Sequence, residues 1–183
     1  MYIKKFNQLT KVNVMEAGGK GASLGEMTKA GIPIPPGFVV LSQAFDDFIQ
    51  TSDLEMEIQA ALDKVNHKEI HTIENASEKI QALIYQANMP KKIENAILDQ
   101  FKSLKIRFVA VRSSATSEDS AAAAWAGQLD TFLNTTKKML ILSIKKCWAS
   151  LFNPRAIFYR FEKSLHKQKV SVAVVVQKMV QSE

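Results

Sequence analysis

One cysteine, Cys147, stands among 183 residues. With no partner in the chain it cannot form an internal bridge, which excludes a disulfide scaffold and fits a reducing compartment. No apolar run approaches the ~18 residues that a membrane-spanning helix requires. The longest, VSVAVVV over Val170–Val176, has the length of a strand. The N-terminal MYIKKFNQLT carries charge but no apolar h-region, so no secretory signal is expected, and the chain reads as soluble and cytoplasmic. No low-complexity tract exceeds Ala121–Ala124 and no internal repeat is visible. With 46% hydrophobic and 23% charged residues, neither a disordered tail nor a fibre fits.

What is present is unevenly distributed. Residues 1–100 contain no arginine and hold ten lysines against thirteen acids, a net of −3; residues 101–183 hold fourteen Lys and Arg against five acids, a net of +9. A basic half of that size suits an anionic partner, and equally a solvated basic face. Six of the seven glycines (Gly18, Gly19, Gly21, Gly25, Gly31 and Gly37) and three of the five prolines (Pro33, Pro35 and Pro36) share one twenty-residue stretch. Such clustering signals special backbone geometry, not general flexibility.

Apolar spacing predicts a set of helices. Ser52 and Glu55 form a capping-box pattern ahead of Leu54, Ile58, Ala61, Leu62 and Val65. Asn75 and Glu78 repeat it ahead of Ile80, Leu83, Ile84 and Ala87. Pro90 suits the first turn of a helix bearing Ile93, Ile97, Phe101 and Leu104. Thr135 or Thr136 opens another, and Asn153-Pro154 a last one. Strands are expected at Ile3–Phe6, Phe38–Val40, Phe108–Arg112, Thr131–Leu133 and Val170–Gln177. The mixture indicates an α/β or α+β fold. A possible subdomain boundary lies near residues 104–107, where the charge changes sign.

Two segments carry chemistry. GGKGASLGEM over Gly18–Met27 reads as a glycine turn running into a helix that ends at Gly31. Backbone N–H groups at such a start bind phosphate oxygens, and Lys20 adds a full charge. A tight turn with a surface lysine accounts for the same spacing, and neither a Walker A loop nor GxGxxG is present. In VAVRSSATSED over Val109–Asp119, a buried strand delivers Arg112 into a loop of hydroxyls that continues to Gly127. That placement suits a cluster of anionic oxygens under a lid; pairing of Arg112 with Glu118 or Asp119 remains the alternative. His67 and His71 miss the HExxH zinc pattern, Ser113 has no nucleophile elbow, and Cys147 sits on an apolar helix face. Nucleic-acid binding would rest on charge alone.

Taken together, GGKGASLGEM, IPIPPGFVV, VAVRSSATSED, WAGQLDTFLN, ASLFNPRAIFYR and VAVVVQKMV occur in the order found in one family. The chain resembles the nucleotide-binding domain of the phosphoenolpyruvate synthase and pyruvate phosphate dikinase group. The resemblance implies an ATP-grasp-like fold with a mixed sheet and flanking helices, and ATP with Mg2+ as cofactors. Family members pass phosphate from ATP to a histidine on a swivelling domain and then to pyruvate. Relatives use phosphate as second acceptor, or phosphorylate rifampicin or glucans. Carried over by position, Lys20 and Arg112 contact the ATP phosphates as the catalytic pair, with Ser113 beside them. Gly127 and Gln128 belong to the covering loop and Thr131 to its base. Gln177, Met179 and Val180 form the segment that meets adenine, and Glu183 reaches the ribose. The metal ligands, the phosphohistidine domain and the pyruvate-binding domain are expected outside these residues, as parts of one longer protein. The chain alone is then expected to be inactive, with neither nucleic acid nor membrane as partner. A non-catalytic nucleotide-binding module is the other possibility.

Overall fold

The computed structural model describes residues 1–116, 130–163 and 170–180, and places five strands in one sheet. These are β1 (Ile3–Lys5), β2 (Gly37–Val40), β3 (Val109–Ala115), β4 (Thr131–Thr135) and β5 (Val172–Lys178), in the spatial order β1-β2-β5-β3-β4. All four pairings are antiparallel, where the resemblance implied a mixed sheet. Short apolar runs declare a strand but carry no record of its direction.

The valine run forms the middle strand. Val172, Val174 and Val176 face one side together with Phe38, Val40, Val109 and Val111; Ala173 and Val175 face the other with Val39 and Leu41. Burial on both faces is why the sequence shows an unbroken apolar run there and no alternation. Among the described residues the first face is covered by α2 (Ser42–Thr51), α3 (Glu55–Leu62), α4 (Ile70–Gln86), α5 (Lys91–Ser103), α6 (Lys137–Ala149) and α7 (Pro154–Glu162). Trp148 of α6 lies at its centre, 5.8 and 5.1 Å from the rings of Phe45 and Phe48. The second face carries α1 (Val14–Lys29) and the 3-10 turn Phe6–Gln8.

The five expected strands are all present, with shifted ends. β4 runs on past Leu133 because Asn134, at φ 51°, takes up a bulge opposite Ala110. Two helix starts differ from expectation. α4 begins at Ile70, five residues before Asn75, because Asn66, Glu69 and Thr72 build the entry turn: Thr72 Oγ1 lies 2.8 Å from the Glu69 carbonyl and accepts the Asn66 N–H at 3.0 Å. Ser52 makes no cap to α3, whose N-cap residue is Leu54 behind a left-handed Asp53. α2 has no counterpart among the expected helices, since it starts behind Leu41 with no capping side chain.

Candidate functional site

α1 is two helical pieces joined at Gly18, whose φ of 68° and ψ of 169° interrupt the helix. That φ falls where a side chain is strained, and a Cβ there would overlap the backbone carbonyl and hydroxyl of Ser114 on β3. Further along, a Cβ on Gly25 would meet the Leu9 backbone. Small residues thus let α1 lie directly on the sheet. At the break the Ser114 hydroxyl donates to the Ala17 carbonyl at 2.9 Å and accepts the Gly21 N–H at 3.3 Å.

The resumed helix delivers Lys20 to the same strand. Its ammonium donates to the Ser113 carbonyl at 2.7 Å. The side chain as a whole is exposed, but the ammonium end is desolvated against the strand. Desolvation first, and then the Arg112 guanidinium, hold its pKa below the ordinary lysine value. Arg112 is an exposed residue in an otherwise buried stretch of β3, paired with Thr131 on one side and Val175 on the other. Gly19, Lys20, Ser23, Leu24, Met27, Arg112 and Val175 line one pocket of about 330 Å³. Among the described residues neither Lys20 nor Arg112 forms an ion pair. Glu118 and Asp119, the acids of the alternative pairing, lie outside them. Two like charges brought together raise each other's energy, and an anion between them relieves both.

The other expected residues are distributed around this pair. Thr131 stands directly across the ladder from Arg112. Ser113 is fully buried, and its hydroxyl turns to the opposite face, 3.1 Å from the Asp130 carbonyl and 3.3 Å from that of Cys147. It meets the pocket side only through the carbonyl that takes Lys20. The amide of Gln177 donates to the Pro35 carbonyl at 3.0 Å. The N–H groups of Lys178 and Met179 are committed to Pro36 and Phe108. Val180 is exposed. Gly127, Gln128 and Glu183 lie outside the described residues. Ser114 is the residue that the sequence reading missed, and two adjacent serines offered no signal to separate them.

Cys147 is buried, and burial pushes its thiol up to about 12. His71 lies 3.5 Å from Glu69 on the surface, and no cluster of three or more metal-binding side chains occurs among the described residues.

Over residues 14–183 the chain matches the family described as "Pyruvate phosphate dikinase, AMP/ATP-binding domain". It is 42% identical over 189 aligned residues to a protein named "Probable phosphoenolpyruvate synthase" from Methanothermobacter thermautotrophicus. It is 36% identical over 221 to the phosphoenolpyruvate synthase of Pyrococcus furiosus, and 39% identical over 193 to that of Helicobacter pylori. Each alignment takes in 100% of this chain but 28%, 27% and 24% of the respective relative. The chain spans about a quarter of the length of these curated relatives. It belongs to the pyruvate phosphate dikinase AMP/ATP-binding domain family, an ATP-grasp-like nucleotide-binding fold.

Proposed function

From that membership we propose that the chain holds the phosphates of ATP, as the nucleotide-binding part of a phosphoenolpyruvate synthase-like dikinase. The observation that carries this reading is the meeting of Lys20 and Arg112 at one pocket with no carboxylate paired to either among the described residues. An ammonium and a guanidinium so placed fit phosphate oxygens: the guanidinium takes two oxygens at once, the ammonium acts as a point charge. In the reading proposed, ATP supplies the phosphoryl group. The work of the chain is to hold it and to stabilise the charge that develops on its oxygens during transfer. Leu24, Met27 and Val175 give the pocket an apolar wall. By the family resemblance Gly127 and Gln128 are assigned to covering the phosphates, and Thr131 stands across the ladder from Arg112. Gln177 braces the proline segment, so that Met179 and Val180 meet adenine at the end of β5, with Glu183 toward the ribose. Because Lys178 and Met179 have committed their N–H groups, adenine recognition there falls to carbonyls and to Val180.

In the complete enzyme the reaction is ATP + pyruvate + water to phosphoenolpyruvate, AMP and phosphate, through a phosphohistidine. The phosphohistidine domain, the pyruvate-binding domain and the Mg2+ ligands are assigned to parts of a longer cytoplasmic protein beyond these residues. The reading is tested by calorimetric titration of MgATP into the chain and its Lys20→Ala and Arg112→Ala variants. Truncating one partner of a desolvated charge contact costs ~2–5 kcal/mol, so each variant is expected to lose roughly thirtyfold or more in affinity. Equal binding by wild type and the double variant would sink the assignment.

A further inference from the structure

We infer that the Ser114 hydroxyl is a positioning residue for Lys20, capping from the neighbouring strand the helix that resumes after Gly18. The inference rests on the phosphate-binding reading of Lys20 and Arg112.

A helix start leaves N–H groups without acceptors, and the N-cap side chain ordinarily takes the N–H of the second or third helical residue. Counting from the break, Gly18 occupies the cap position and Gly19, Lys20 and Gly21 are the first three helical residues. Gly18 has no side chain to offer. The positive φ disfavours one, and the space is filled by Ser114. The acceptor comes instead from β3: Ser114 Oγ takes the Gly21 N–H at 3.3 Å. The same hydroxyl donates its proton to the carbonyl of Ala17 at 2.9 Å, just before the break. One hydroxyl therefore spans the interruption, bonded to both pieces of α1, on a residue that is 1% exposed.

The consequence falls on Lys20, which lies between the two bonded residues. The backbone on either side of it, at Ala17 and Gly21, is fixed to β3 by the hydroxyl of Ser114, and its own ammonium by the carbonyl of Ser113, one residue away. Arg112 leaves the same strand two residues before Ser114. In a strand, residues two apart share a face, so Arg112 and Ser114 both stand toward α1 while Ser113 faces α6. The spacing between the two cations is thus set within three consecutive residues of β3.

The test compares Ser114→Ala with wild type in MgATP affinity, in the pH dependence of that affinity and in thermal unfolding. Ser77→Ala serves as the control, since Ser77 is a similarly buried serine on α4. Losing the cap is expected to weaken MgATP binding by about tenfold in protein that is still folded. The pH profile carries the distinction from a merely structural role. Protonated Lys20 binds phosphate, and its lowered pKa places the alkaline fall in affinity below the ordinary lysine range. Released from the strand, its ammonium regains water, and the fall moves to higher pH. Ser77→Ala is expected to change neither affinity nor profile. A folded Ser114→Ala protein with wild-type affinity, or with weakened affinity but an unmoved alkaline limb, overturns the inference. Should the alanine variant not fold, hydrogen exchange of the Gly21 amide in the wild-type protein decides: strong protection is expected from its bond to the Ser114 hydroxyl, and exchange at the rate of an exposed amide overturns the inference. Failure of the phosphate-binding reading is separate: there Lys20→Ala itself would bind MgATP like wild type.

Discussion

At Gly18 two demands coincide on one residue. Its φ of 68° disfavours a side chain, and β3 leaves no room for one. Gly18→Ala is expected to cost about 2–4 kcal/mol, the sum of left-handed strain and overpacking against backbone that cannot yield. Urea unfolding of the purified variant measures it, and a loss under about 0.5 kcal/mol, the range of an ordinary surface substitution, would show that the break relaxes freely. Cys147 presents the opposite case, a reactive residue type made inert. With its thiol pushed up to about 12 by burial, it is expected to resist a thiol-specific disulfide reagent in the native protein. It should react fully once denatured; rapid native labelling would contradict the buried placement. The sequence announced Lys20 and Arg112 plainly, because charges flanked by glycines or closing a buried strand stand out. It could not assign Ser113 and Ser114 to opposite faces. That distinction depends on which side of β3 receives α1, and both hydroxyls are buried and bonded.

Among the elements, α4 shows a helix end held by a distant side chain. The ammonium of Lys145 on α6 donates to the carbonyls of Tyr85 and Ala87, each at 2.7 Å, where α4 ends. Terminal carbonyls of a helix lack intrahelical donors, and Lys145 supplies them from across the core. Lys145→Met is expected to cost about 1.5–3 kcal/mol, the range for hydrogen bonds to a charged group. Burial also lowers the Lys145 pKa below 10.5. The native state then holds this proton less tightly than the unfolded chain, so stability rises with pH through the window between the lowered value and 10.5. The methionine variant should show a shallower rise there in chemical unfolding; an unchanged slope would mean Lys145 titrates normally. Helices with an apolar stripe were legible from spacing. The exceptions differ in cause: α2 buries Ala44, Phe45 and Phe48 but opens without a capping side chain, α4 opens on a turn made by Asn66, Glu69 and Thr72, and the buried face of α1 is Ala17, Gly18, Gly21, Ala22 and Gly25. Hydrophobic periodicity is blind to a face built for closeness.

For the molecule as a whole, β5 is the strand on which the order of the sheet turns. It pairs with β2 from the first quarter of the sequence and with β3 from the second half. Ending the chain after residue 163 removes that shared neighbour and leaves two pairs of strands with no strand between them. Such a truncation is expected to lose cooperative thermal unfolding by circular dichroism; a sharp transition at the wild-type temperature would show that the remaining strands suffice. A second expectation concerns turnover. Supplied with MgATP and pyruvate, the intact chain should form no AMP, because the proposed phosphohistidine lies elsewhere; steady release of AMP would refute that division of labour. Strand positions were visible in the sequence, but the strand order was not, since β2 and β5 pair although more than a hundred residues, β3 and β4 among them, separate them along the chain. The charge asymmetry acquires a local meaning here: Lys20, from the acidic half, crosses to the basic half and docks on Ser113, 93 residues later.

The hydroxyl that joins Ala17, Gly21 and Ser114 also limits how two such domains can be spliced. A crossover anywhere between residues 22 and 113 takes the broken helix from one parent and the strand that clasps it from the other. If the second parent carries anything bulkier than serine at 114, the Gly18 turn has nowhere to sit, however well each half suits its own ancestor. Exchange of the whole segment from α2 to α5, which leaves residues 18, 21 and 114 with one parent, should therefore be tolerated better than a single crossover within it.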